Sequence, residues 1–122
     1  MIRVVRIVGV LEPGGAQLSA LRLSRALAGF GIDSPLLLAG DATAAGVDVA
    51  RRYGTTIEAF SHGEHRRLQW TPDDAFVDWL RPRLVGADLV HAHMFGAWWA
   101  AAAALQDSGT PLVASPVVRT CD

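Results

Sequence analysis

The chain has 122 residues, of which 51% are hydrophobic and 19% charged, with a formal net charge of −1. That length suits one compact domain spanning 1–122, and the low charge content excludes a disordered chain. A net charge this close to zero excludes a nucleic-acid partner gripped by bulk electrostatics.

Short apolar runs bounded by glycine or proline alternate with helical patterns along the chain. The first strand is expected from Val4 to Leu11, running straight into Pro13-Gly14-Gly15. A helix follows over Ala16 to Ala28, with Ala16, Ala20, Leu23, Leu27 and Phe30 on its inward face, and Gly29 and Gly31 to stop it. The second strand is expected over Pro35 to Ala39, ending at Gly40, and a second helix over Thr43 to Tyr53, closed by Gly54. Thr56 to Phe60 reads as a third strand. Thr71-Pro72-Asp73-Asp74 has the form of a helix start, with Thr71 as N-cap, Pro72 in the first turn and acids near the positive dipole end. Phe76, Val77, Leu80 and Leu84 give that third helix its buried face, and Pro82 is expected to end it early. Ala87 to Ala92 is the fourth strand, Phe95 to Gln106 a nearly all-apolar fourth helix, and Pro111 to Ser115 the fifth strand. Of the adjacent Trp98 and Trp99, at least one is expected in the core. Strands alternating with helices imply an α/β fold: a Rossmann-like, doubly wound parallel sheet of about five strands, with helices on both faces.

Ligands of such sheets bind outside the carboxyl ends of the strands. Three features fall there. Gly14 and Gly15 let the backbone turn tightly, and the free amides at the start of the helix, at Ala16 and Gln17, favour an anion such as phosphate. This loop is neither the G-x-G-x-x-G fingerprint nor a lysine-bearing P-loop, and a tight turn without a ligand is the other reading. His91 and His93 project from the same side of the fourth strand. His91 is expected to be a neutral core histidine, and His93, nearer the strand end, to meet a sugar hydroxyl or phosphate. No further metal ligand is near them in sequence, so no metal is expected. Ser115 closes the fifth strand and offers a hydroxyl. A fourth region, His62 to Trp70, mixes cationic and aromatic groups suited to an anionic acceptor, to peripheral contact with a membrane surface, or to a solvated loop anchored by Trp70.

Taken in order, Pro13-Gly14-Gly15-Ala16-Gln17, Asp88-Leu89-Val90-His91-Ala92-His93 and Gly109-Thr110-Pro111-Leu112-Val113-Ala114-Ser115 resemble the N-terminal, acceptor-side domain of GT-B retaining glycosyltransferases of family 4. The resemblance implies transfer of a sugar from a nucleotide-diphosphate sugar to an acceptor with retention, without a cofactor or metal. It places Gly14 and Gly15 against the donor diphosphate, and His93 against the donor sugar as the catalytic residue. Met94 and Ser115 shape the acceptor pocket, and Arg66 or Arg67 meets an anionic acceptor. Pro116 to Asp122 departs from the polar stretch usual in the family, and no E-x7-E pair of the donor-nucleotide domain occurs. The expectation is therefore a truncated domain, inactive by itself and prone to self-association through exposed apolar surface.

The alternative is a non-catalytic, flavodoxin-like binding or interaction domain. The single cysteine, Cys121, excludes a disulfide framework and fits a cytoplasmic setting. No apolar run is long enough to span a bilayer, and Arg3 and Arg6 break the N-terminal apolar run, so it does not read as a signal peptide.

Overall fold

The computed structural model describes residues 2–11, 15–62 and 74–115, without the side chains of 15–17 and 95. The elements are β1 (Ile2–Leu11), α1 (Gly15–Ala28), β2 (Ile32–Ala42), α2 (Ala44–Arg52), β3 (Thr56–Ser61), α3 (Asp74–Leu84), β4 (Leu89–His93), α4 (Phe95–Ala104) and β5 (Leu112–Ser115). All four strand pairings are parallel, and the sheet order is β3-β2-β1-β4-β5. The chain winds outward from β1 to β3, crosses back over the sheet, and winds the other way through β4 and β5. The order therefore reverses between β1 and β4, the switch point at which doubly wound sheets hold their ligands.

Alternation along the strands divides the core in two. Val5, Ile7, Leu38, Val90 and Ala92 face α3 and α4, where they pack with Phe76, Val77, Leu80, Leu84, Ala97, Ala100 and Ala101. Val8, Leu37 and Ala39 face the other way, toward Ala20 and Leu21 of α1 and Ala50 of α2. Among the described side chains of α1, Ala20 and Leu21 are buried and Leu27 is half-buried, whereas Leu23 is exposed and, beyond the helix, Phe30 is 81% exposed. Ala20 holds the inward place expected for it, whereas Leu23 and Phe30 do not belong to that face. Small Ala20 brings α1 close to the sheet, and a stripe through Phe30 would have carried it beyond the end of the helix.

Pro82 does not end α3, which continues to Leu84. Its missing amide would have bonded the Asp78 carbonyl, on the exposed side of the helix. The last turn is held instead by buried Leu80 and Leu84 and by Arg83. Arg83 donates to the Trp79 carbonyl (2.8 Å) and lies over the Trp79 ring at 4.1 Å. β2 is longer than Pro35 to Ala39, with Gly40 inside it. Its register slips opposite Arg3/Val5, where Ser34 and Pro35 form an extra residue's worth of strand. A proline cannot donate to the ladder, so it sits at that irregularity. Gly54 closes α2 with φ +70, a conformation that favours glycine.

Trp98 and Trp99 are both exposed, at 38% and 49%, contrary to the expectation that one lies in the core. The inward positions of α4 are taken by Ala97, Ala100, Ala101 and Ala104, whose short side chains let the helix lie close on the sheet. Among the described residues no helix is long and apolar enough to cross a membrane.

Candidate functional site

The carboxyl ends of β1, β4 and β5 form one rim. β1 reaches it at Leu11, whose carbonyl accepts from both the amide (2.9 Å) and the hydroxyl (3.3 Å) of Thr43. Thr43 also caps α2, its hydroxyl accepting from the Gly46 amide at 3.0 Å. Across the switch point, Val8 of β1 is in register with His93 of β4, and His93 with Ser115 of β5. Two residues below, Arg6 is in register with His91, and His91 with Val113. Strand alternation sends Arg6, His91, His93 and Ser115 to the side of the sheet occupied by α1.

His91 and His93 stack with ring centroids 4.0 Å apart and planes inclined by 35°. The His91 ring leans toward the rim, its Nε2 lying 2.8 Å from Ser115 Oγ. His93 is only 5% exposed, and its Nε2 has no hydrogen-bond partner among the described residues. His91, expected in the core, is half-buried and bonded to a side chain, and His93 is the more buried of the two. Both are flanked in register by β1 and β5, and the His91 ring is the one turned toward the exposed Ser115 hydroxyl.

Burial, then His91 and Arg6, hold the His93 pKa down at about 4. Burial and then Arg6 lower that of His91 as well. Both rings are therefore neutral near pH 7. Arg6 is 2% exposed; one terminal nitrogen donates to Ser24 Oγ (2.9 Å) and to Ser34 Oγ, while its Nε has no partner among the described residues. Ser24 in turn donates a hydrogen bond to the Ala20 carbonyl at 2.9 Å. Burial lowers the Arg6 pKa too. Sequence reasoning passed over Arg6, although a charged residue in the middle of an apolar central strand was the visible signal. It also passed over Asp41, buried at the end of β2, to which the Ser61 hydroxyl lies at 2.8 Å.

Met94 follows His93 with φ 79 and ψ 154, a strained backbone for a residue with a side chain. Its amide donates to the Ser115 carbonyl (3.2 Å) and its carbonyl accepts from the Trp98 amide (3.1 Å), which fix the turn into α4. His93, Met94 and Ser115 are thus brought together. Gly15 opens α1, and Ala16 and Gln17 lie in its first turn, at the same end of the sheet. Gly14, Arg66 and Arg67 lie outside the described residues, as does Thr71. Among the described residues no three His, Cys, Asp or Glu side chains gather as a metal site.

A five-stranded parallel sheet with its helices defines a Rossmann-like α/β domain, with polar groups collected at the switch point. The model of Glycosyltransferase Family 4 matches residues 13–116, and the chain belongs to that family. No match is found among curated proteins.

Proposed function

We propose that the chain forms the acceptor side of a cleft in which a sugar passes, with retention, from a nucleotide-diphosphate sugar to an acceptor. A donor-side domain holds the nucleotide in this reading. The amides at Gly14, Gly15, Ala16 and Gln17 stabilise the departing diphosphate. Neutral His93 orients the donor sugar, Met94 and Ser115 shape the acceptor pocket, and Arg66 or Arg67 meets an anionic acceptor. The reaction needs no metal on this account and takes place in the cytoplasm. The observation that carries the reading is the buried, neutral His93 at the end of β4, beside the strand that leads into α1.

The test is to supply a family donor-side domain by fusion and assay transfer from nucleotide-diphosphate sugars. His93→Ala is expected to lower kcat roughly a hundredfold or more. Unchanged transfer in His93→Ala combined with Gly15→Trp would sink the site assignment. The exposed Trp98 and Trp99 favour a second reading, a non-catalytic interaction domain. A clean monomer by size-exclusion chromatography counts against it.

A further inference from the structure

The geometry points to an oxyanion subsite over β4 and β5, on the α1 side of the sheet, where His91 and Ser115 hold a phosphoryl group of the acceptor and Arg6 lies behind them. The word acceptor rests on the transferase reading; the subsite itself does not.

The first argument is the kind of groups collected there. Arg6 comes from β1, His91 and His93 from β4 and Ser115 from β5, with Ser24 of α1 and Ser34 of β2 on the guanidinium. Every one of them can donate a hydrogen bond, and among the described residues no carboxylate pairs with any of them. Of the nearby carboxylates among the described residues, Asp88, just before β4, accepts from the Arg3 amide (2.8 Å), Asp41 is bonded to Ser61, and Asp33 of β2 is exposed.

The second argument is what those groups lack. A buried charge is normally paired. Among the described residues Arg6 is buried on neutral hydroxyls alone, and both its Nε and His93 Nε2 are without partners there. The complement that such a set lacks is negative.

The third is access. Ser115 is exposed, His91 half-buried and Val113 45% exposed. A group arriving over β5 thus meets the Ser115 hydroxyl and the His91 ring first, with His93 stacked beside it. A phosphoryl group brings three strong acceptor oxygens, enough for the hydroxyl and an imidazole N–H together. Its charge also favours protonated imidazoles, against the burial and the Arg6 charge that keep both rings neutral in the free protein.

Imidazole NMR tests this on the 122-residue chain, with inorganic phosphate and sulfate as probes and exposed His62 as internal control. Both anions are expected to shift His91 and His93 saturably and to leave His62 in place. Sulfate keeps its charge across the range, so its binding should weaken as pH rises through the His91 titration. Ser115→Ala and His91→Phe should each weaken binding roughly tenfold. Arg6→Met should weaken it further, and the two milder variants decide the matter if that one does not fold. Parallel shifts at His62 and His91, or unchanged binding in Ser115→Ala and His91→Phe, would overturn the subsite. A polyol phosphomonoester that saturates the same resonances supports the acceptor as the source. A nucleoside diphosphate that does so while the phosphomonoester does not overturns that assignment. Failure of phosphate binding leaves the transfer assay untouched, and loss of transfer in His93→Ala leaves the anion titration untouched.

Discussion

The two faces of the sheet are built on opposite terms. The face under α3 and α4 is apolar throughout its buried part, from Val5 and Ile7 to Val90 and Ala92. The face under α1 and α2 carries all four buried polar residues found among the described residues, namely Arg6, Asp41, Ser61 and His93. One face supplies burial free energy. The other gives some of it up to keep dipoles and a charge in place at the switch point. A site confined to one face leaves the opposite face free to be optimised for packing.

The sharpest way to break this comparison is Leu80→Ala on the apolar face. It should cost about 3 kcal/mol in urea denaturation, by lost transfer energy plus a cavity, and leave the His91 and His93 titrations where they are. A movement of those titrations would show the faces to be coupled. The next effect is acid lability on the polar face. His93 titrates at about 4 folded against 6.5 unfolded, so the unfolded chain binds its proton more readily. Its stabilising contribution is complete above pH 6.5, is lost as pH falls through the window down to about 4, and is about 3 kcal/mol. Thermal melts across that window should flatten in His93→Phe. Met94→Gly should then relieve the strained turn and raise stability by about 1 kcal/mol. Unaltered stability would place the strain elsewhere. The smallest effect is Ser115→Ala, expected within about 0.5 kcal/mol of the parent in denaturation because the side chain is exposed.

Much of the fold was legible because parallel strands buried on both faces leave continuous apolar runs, as Val4 to Leu11 does. The element order βαβαβαβαβ follows from those runs and from the glycines that close them. The boundaries of β2 were not legible, because Pro35 and Gly40 look like terminators in one dimension and become a register irregularity and an interior position once β1 and β3 flank them. Pro82 misled for a similar reason: whether a lost helical bond matters depends on which side of the helix it faces. At the site, the pairing of His91 and His93 on one side came from period-two alternation alone. Which of them is the more buried depends on the tertiary packing around β4, and no local pattern reports that. Arg6 stood in plain view, but a lone charge in a strand acquires meaning only when its neighbour in register is known to be His91.

The placement of β1 has a further consequence, for synthesis. β1 lies between β2 and β4, and its amide at Arg3 waits for Asp88, 85 residues later in the chain. At about 5–20 residues per second, that edge of the first strand stays open for roughly ten seconds during translation. Throughout that interval it is an apolar ribbon with unpaired amides, the kind of edge that recruits another chain. Arg3 and Arg6 are the charges it carries meanwhile.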